Sequence, residues 1–425
     1  MMPLPVEEAS DVLARREASA TPGRAPFYLD AGLIAEESGE ASPRCAVIRD
    51  MAALEALRGE WLALERSHAR DVHAFQTYAW CHAWASVYAS GGRGASQLFI
   101  ITVRRHGRLV LVWPMMLCKL GPLRSLSWLS DPFSQYGDIL TSLSGDDLHA
   151  AMELACETIR AQRSVDIVRL RHVRADANVT PFLESRFLRA AWQDGAPWMD
   201  LEAFANEQEY ERRYSKSQRR RRRRIARALE EELGDKLEFS LIDDGDDLRG
   251  SLSALIGEKR AWLARKGLVS RPLASPGLEE FLSRLAAEGG GGHGPRLVIS
   301  RMQAAGRPVS WELGFRFRGR HYGYVTAHDR ELTDFSPGRL HMDMSQKRAL
   351  KDGMRVFDLL VPAAPHKKTW SSAVEPVRDY YRPMTPAGKL IGETYLRHLR
   401  PLLRRLYQKA PEKLRRKLGL GSVAG

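Results

Sequence analysis

One order of elements occurs twice along this chain, and it constrains the fold more than any single motif. In the first half, Gln97 to Lys119 reads as two strands joined by Arg105-His106-Gly107-Arg108. Strands at Ser125 to Leu129 and Tyr136 to Leu140, a helix from Asp147 to Gln162 and a strand at Val165 to Leu170 follow. In the second half, Leu297 to Met302, Val309 to Phe317 and His321 to Ala327 are rich in β-branched and aromatic residues, with turns at Ala305-Gly306 and Arg318-Gly319. A helix from Leu340 to Leu350, stopped by Asp352-Gly353, then leads into a buried strand from Arg355 to Leu360. Helical patterns precede each sheet: Ala52 to His68 with Thr77 to Tyr88, and Asp246 to Lys266 with Gly277 to Ala287. Duplication of one α/β module explains this order. Each copy is expected to be a mixed, mainly antiparallel sheet flanked by helices.

The expected organisation is a disordered N-terminal segment over residues 1–40, a first module over 41–195 and a second over 241–390. An Arg-rich helical connection at 196–240 and a basic tail at 391–425 complete it. The boundary between halves reads at Ala190 to Glu202, and the helical stretch Glu207 to Leu233 belongs to neither repeat.

With 425 residues and 44% hydrophobic content, the chain can build two ordinary cores. Its net charge of +13 admits nucleic acid, an anionic membrane surface or a polyphosphate as partner. Cys45, Cys81, Cys118 and Cys156 are widely spaced without a CxxC pair, which argues against a zinc site or a disulfide framework. No metal is expected. The longest apolar run, Leu109 to Cys118, is broken by Pro114 and is far shorter than the roughly 20 residues of a membrane span. No apolar signal core precedes it, so a cytoplasmic protein is expected.

Between the third strand of the second half and its last one lies Ser336-Pro337-Gly338-Arg339, opening a helix. A helix N-terminus just past a strand end presents unpaired N–H groups and a positive dipole end, which suit an anion. The same residues read equally as a plain helix start, with Ser336 as cap and Pro337 in the first turn.

Several further motifs recur in order along the chain: Trp61, Phe75-Gln76 with Trp80, Tyr136-x-Asp138, Arg219 to Arg224, Trp262 with Gly267, Ser336-Pro337-Gly338, Phe357-Asp358 and Lys367-x-x-Trp370. With the duplicated module they resemble the tandem GNAT acyltransferases, in the branch of the CelD-like acetyltransferases of cellulose and exopolysaccharide biosynthesis and the Fem-type aminoacyltransferases. The resemblance spans about residues 45–390. It implies N-acyl transfer from acetyl-CoA or another acyl-CoA, a co-substrate and not a bound cofactor, to an amine of an amino sugar in a cell-surface polysaccharide or its precursor. The alternative it carries is aminoacyl transfer from aminoacyl-tRNA, the one reading that brings in nucleic acid. A third reading is a catalytically degenerate protein that senses an anion. The Q/R-x-x-G-x-G/A loop of ordinary GNAT enzymes is absent, and Ser336-Pro337-Gly338-Arg339 stands in its place.

For the chemistry, an acceptor ammonium must lose a proton, and Glu312, His328 and Asp329 are the candidate bases. Glu312 sits in an apolar strand, where a carboxylate is either at an exposed edge or working; strand alternation also allows it to face solvent while Trp311 faces the core. Tyr324 is a candidate proton donor to the leaving thiolate, or a packing residue. Donor phosphates are assigned to Ser336, Gly338, Arg339 and Lys367, and the acceptor to Tyr136, Asp138, Trp311 and Trp370.

Six consecutive arginines on a helix point all round, so Arg219 to Arg224 reads as a mostly solvated run with two or three members engaged. From Arg397 to Lys417 there are nine Lys or Arg against Glu412, with Leu396, Leu399, Leu403 and Leu406 on one stripe. That basic amphipathic segment suits an anionic inner-membrane surface, an anionic regulator such as a cyclic dinucleotide, or plain docking of its leucines.

Overall fold

The computed structural model describes residues 43–89, 96–289, 292–399, 402–403 and 406. Residues 1–40 and most of the basic segment 391–425 lie outside them. The first half runs β1 (Arg44–Ile48), α1 (Met51–Ala56), α2 (Arg58–His68), a 3-10 turn (Asp71–Gln76), α3 (Tyr78–Tyr88), β2 (Gln97–Leu98), β3 (Ile100–Arg105), β4 (Arg108–Trp113), β5 (Met115–Leu120) and β6 (Leu123–Trp128). It continues through β7 (Leu140–Thr141), α4 (Gly145–Ala161), β8 (Ile167–Arg174), α5 (Thr180–Arg186) and β9 (Leu188–Asp200). The second half runs α6 (Glu207–Arg212), α7 (Lys216–Leu233), β10 (Glu238–Ile242), α8 (Gly245–Arg265), α9 (Arg271–Ala274), α10 (Leu278–Gly289), β11 (Arg296–Ala304), β12 (Arg307–Phe317) and β13 (Arg320–His328). A 3-10 turn (Arg330–Phe335), α11 (Pro337–Lys351), β14 (Val356–Asp358), β15 (Ala373–Pro383) and α12 (Pro386–Ile391) close it.

The fold is mixed α/β, with helices against the sheets, and the order of elements repeats as the sequence implies. Eleven strands form one sheet in the order β10-β11-β12-β13-β14-β9-β15-β8-β6-β5-β2, and β1-β3-β4-β7 form a second. Pairing is antiparallel except at two equivalent places, β6 with β8 and β13 with β14. Each parallel pair is joined through a helix, α4 or α11, as a crossover connection requires.

The two halves trade their last strands. β9, from the first half, pairs with β14 of the second, while β15 lies between β9 and β8 of the first. The stretch 190–202, expected to separate the halves, is therefore mostly ladder and not linker. Its alternating and locally continuous burial hid a 13-residue strand behind Gly195 and Pro197.

Other boundaries also differ from the sequence reading. The expected hairpin Gln97 to Lys119 forms four strands, with breaks at Phe99 and Pro114, and β2 and β5 join the large sheet while β3 and β4 stay in the small one. Of the expected strand Tyr136 to Leu140 only Leu140–Thr141 forms, leaving Tyr136 and Asp138 in a loop. A turn at Leu57 divides the expected helix at 52–68 in two. The Arg-rich helix α7 does not stand apart. Its Leu229 is fully buried with Met302, Val309, Leu332 and Leu340 of the second half.

Aromatic side chains join the halves into one core. The Trp80 ring meets Phe281 and Phe315 edge-on, with centroids 5.1 and 5.2 Å apart, and Phe75 meets Tyr136 and Tyr322 in the same way. Such pairs add roughly 0.5–1.5 kcal/mol each beyond area burial.

Candidate active site

β13 and β14 run together only from Arg320–Val356 to Tyr322–Asp358. Beyond that point β14 ends and β13 continues to His328 without a strand on that edge. At the same place β13 carries a bulge: Leu313 opposes Val325 and Gly314 opposes Gly323, so Tyr324 has no partner across the ladder. A bulge bends its strand and re-aims the local side chains. The parting strands open a cavity of about 850 Å³, bounded by α7, α8, α9, α10, the start of α11 and the chain after β14.

The equivalent gap in the first half is filled. The Trp128 indole lies at the end of β6, where it donates to the Arg171 carbonyl at 2.8 Å. The chain passes so closely that a Cβ at Gly137 would fall 2.0 Å from Trp128 Nε1. Only the second half keeps its gap open.

Seven of the expected site residues border the open cavity: Tyr324, His328, Ser336, Gly338, Arg339, Lys367 and Trp370. Burial, reinforced by the Lys259 charge, pulls the His328 imidazole below the ordinary histidine value, which keeps it neutral and able to accept a proton. Burial keeps the Tyr324 hydroxyl protonated, and it donates to the Phe133 carbonyl at 2.7 Å. The Lys367 ammonium is pulled down to about 8 by burial, with Asp358 and Asp194 opposing. Its Nζ donates to the carbonyls of Leu359 and Leu360 at 2.8 and 2.9 Å, so it pins the chain leaving β14.

At the start of α11, Ser336 takes the left-handed conformation (φ 53°), and its side chain caps nothing, contrary to the expected Ser336 cap. Gly338 is exposed, and a Cβ there would meet nothing within 4 Å. The glycine is thus not required by backbone conformation or by packing; it leaves the helix N-terminus open to the cavity.

Five expected site residues do not border it. Glu312 is buried on β12, neither at an edge nor facing solvent, because β12 lies between β11 and β13 under α11. Its Oε1 accepts from His321 Nε2 and Ser345 Oγ, both at 2.9 Å. Burial opposes its charge, yet the His321 bond and the surrounding donors hold its carboxyl below the usual range. Asp329 caps the following 3-10 turn by accepting from Glu331 N and binds Arg307 at 2.5 Å. Trp311 packs in the main core. Asp138 accepts from His73 Nε2 and from the amides of Ile139, Asn178 and Val179, which organises its loop. Tyr136 is buried with its hydroxyl on Asp358.

Cations outside the expected donor-phosphate set complete the wall. Arg221 and Arg222 come from the arginine run, and Lys259 from α8, one helical turn from Trp262. Arg222 packs over the Tyr214 and Trp370 rings and binds Asp343 at 3.2 Å. Among the described residues, Arg221, Lys259 and Arg339 have no carboxylate partner. Lysine or arginine lines the cavity at Arg171, Arg221, Arg222, Lys259, Arg339 and Lys367, and carboxylate only at Glu258. Lys259 and Trp262, spaced three apart, were the one available signal in the sequence for the α8 wall.

Residues 216–368 match the acetyltransferase (GNAT) domain family, and the chain has a GNAT acyltransferase fold. The crystal structure of FemX is similar over 79% of this chain and 98% of that one, at 11% identity and a TM-score of 0.52. A tandem GNAT protein from the clavulanic acid biosynthesis pathway aligns over 81% and 99% at 12% identity (TM-score 0.47), and L-PGS from Bacillus licheniformis over 82% and 98% at 13% (TM-score 0.45). No curated protein gives a significant match. Among the described residues there is no group of side chains fit to hold a metal ion, and no helix is long and apolar enough to cross a membrane.

Proposed function

We propose that this protein transfers an acyl group from acyl-CoA to an amine, using the open cavity of its second half. The observation that carries this reading is the cavity wall: six lysines or arginines against one carboxylate, beside a helix N-terminus and an unpaired strand edge. A donor with several phosphates needs this excess of cations, and Arg221, Lys259 and Arg339 are free to serve it. The N–H groups at the start of α11 supply further donors, and the space in front of Gly338 lets a phosphate approach the backbone. CoA brings an activated thioester. The protein's part is to hold that ester along β13, which past Gly323 has no strand on its β14 side, so that a backbone N–H on that open edge can polarise its carbonyl.

Proton handling falls to two residues of β13. His328, neutral at ordinary pH, takes the proton that the acceptor ammonium must lose. Tyr324, which lines the cavity on the same strand, gives one to the departing thiolate as its hydroxyl turns from the Phe133 carbonyl. The acceptor is an amine of an amino sugar in a cell-surface polysaccharide precursor, on the resemblance to CelD-like enzymes. Exposed Leu399, Leu402, Leu403 and Leu406 beside the basic tail support a position at an anionic inner-membrane surface.

Calorimetric titration with acetyl-CoA tests the donor site. Wild type should bind, and an Arg221→Ala, Arg339→Ala double variant should bind at least tenfold more weakly. No heat with any acyl-CoA sinks the donor; equal affinity of the double variant sinks the phosphate site.

A second reading, a Fem-type aminoacyltransferase using aminoacyl-tRNA, draws on α7. Arg220, Arg223 and Arg224 are exposed next to the two arginines at the cavity, a surface that suits a phosphate backbone. Binding of aminoacyl-tRNA that falls steeply with salt, in the absence of acyl-CoA binding, would select it.

A further inference from the structure

The cavity is divided in character. Its cations come from Arg171 of β8, from α7, from the start of α11, from Lys259 of α8 and from Lys367, whereas the apolar residues of α8, α9 and α10 contribute a buried hydrocarbon wall. Leu255, Ile256 and Leu263 of α8, Leu273 of α9, and Leu278 and Leu282 of α10 all line the cavity while remaining no more than 7% exposed. None of these six offers a hydrogen bond. An acetyl group needs one methyl's worth of apolar contact, and this wall offers far more. Water gains nothing there, since a cavity holds water only where polar partners are present.

Leu313, Gly323 and Val325 connect this wall to the parted edge of β13, where the thioester is held in the reading above. A chain attached to the thioester carbonyl therefore enters the apolar wall directly. We infer that the preferred donor carries an acyl chain well beyond acetyl, a saturated or lightly substituted hydrocarbon, seated between β13 and the α8–α10 layer. This rests on the acyl-CoA reading and specifies its substrate class. Acyl transfer itself is unchanged: the carbonyl–sulfur bond breaks, the carbonyl–nitrogen bond forms, the thiolate receives one proton and the ammonium gives one up.

Leu282 is the residue to vary. It is fully buried on α10 and lines the cavity within the hydrocarbon wall. The experiment is calorimetric binding of acetyl-, hexanoyl- and decanoyl-CoA to the full chain, wild type, Leu282→Phe and Leu282→Ala, with thermal melting of each. Wild-type Kd should fall by up to about fourfold per added methylene until the wall is covered, the gain expected for burying CH₂ groups. Leu282→Phe should move the optimum to shorter chains and Leu282→Ala to longer ones. Opposite shifts from two substitutions separate a fitted pocket from general stickiness and from partial unfolding.

Acetyl-CoA binding as tightly as the longer donors overturns the inference and leaves the acyl-CoA reading intact. Tightening with chain length that neither Leu282 variant shifts also overturns it. Failure of every acyl-CoA to bind the folded protein overturns the reading beneath it.

Discussion

Tyr136 and Asp358, 222 residues apart, meet in a 2.7 Å hydrogen bond from the phenol to Oδ1. The same oxygen accepts from Leu360 N, and Oδ2 accepts from Arg320 at 3.0 Å with Arg174 at 3.7 Å. Asp358 is wholly buried, so one carboxylate ties the loop after β6 and the end of β8 to the place where β13 and β14 part. With the last strands exchanged as well, neither half has a complete sheet of its own.

Two substitutions follow from that contact. Tyr136→Phe removes one hydrogen bond to a charged group and should cost about 1.5–3 kcal/mol. Asp358→Ala removes the buried carboxylate shared by Tyr136, Leu360 N and Arg320, leaving Arg320 with Asp71 alone, and should cost about 3–5 kcal/mol. Both should unfold in urea as one transition covering the whole described fold. Separate transitions for the two halves would contradict the exchanged-strand coupling.

The filled gap of the first half predicts one donor site per chain. Titration with acyl-CoA should saturate at one equivalent, because Trp128 occupies the first-half counterpart, between β6 and β8, of the space that β13 and β14 leave open. Trp128→Ala should cost about 3–5 kcal/mol in stability while leaving the affinity of the second-half site within threefold. Saturation at two equivalents in wild type would show that the first gap opens.

Most of the layering was legible because both repeats carry hydrophobic patterns with turn residues at their ends, and Thr77, at the start of one expected helix, caps α3; the expected single helix Glu207 to Leu233 instead restarts at Ser215. The trading of β9 and β15 was not. Strand alternation is the same whichever neighbour a strand pairs with, so partner choice leaves no local mark. The site divided along the same line. Seven expected residues border the cavity because element order and the family resemblance pointed to that end of the sheet, whereas Glu312, a carboxylate in an apolar strand, is bound through Oε1 to His321 of the neighbouring strand and Ser345 of α11, pairings that strand alternation does not mark. Lys259 was missed because a lysine on an amphipathic helix ordinarily faces water.

Gly338 gives a test in which stability and binding move in opposite directions. A Cβ there meets nothing in the free protein, and replacing glycine in a helical position stabilises by about 0.4–1 kcal/mol. Gly338→Ala should therefore melt slightly higher than wild type yet bind acyl-CoA more weakly, because the methyl stands where a phosphate approaches the α11 amides. Unchanged affinity would move the phosphates away from this turn.

Acid sensitivity should come first from His341. It is buried between Ser300 and Ser310, with both ring nitrogens 2.7 Å from their hydroxyls, and burial pulls it down to about 4 while Glu312 opposes. Above its unfolded value of about 6.5 both states are neutral and it costs nothing. As pH falls from there toward 4, the unfolded chain takes up a proton that the folded one refuses, so stability drops by about 3 kcal/mol. Glu312, held below its usual value, adds a second loss only at still lower pH. Urea midpoints between pH 7 and 4 check this, and His341→Gln should flatten the upper part of the decline.

His328 sets the expected pH dependence of the reaction. Burial and Lys259 both disfavour its protonated form, so its acid limb in kcat/KM must lie below the ordinary histidine value of about 6.5. Activity should rise with pH through that limb and be level at neutrality as far as this group is concerned. His328→Gln should lower kcat by about 10²–10⁴-fold, the worth of a positioned general base, and abolish the limb, with the Kd for acyl-CoA little changed. Lys259→Met removes the neighbouring charge and should shift the same limb to higher pH, because protonated His328 is then less opposed. A role for His328 in packing alone predicts none of these shifts: the limb would survive His328→Gln, and Lys259→Met would leave it in place.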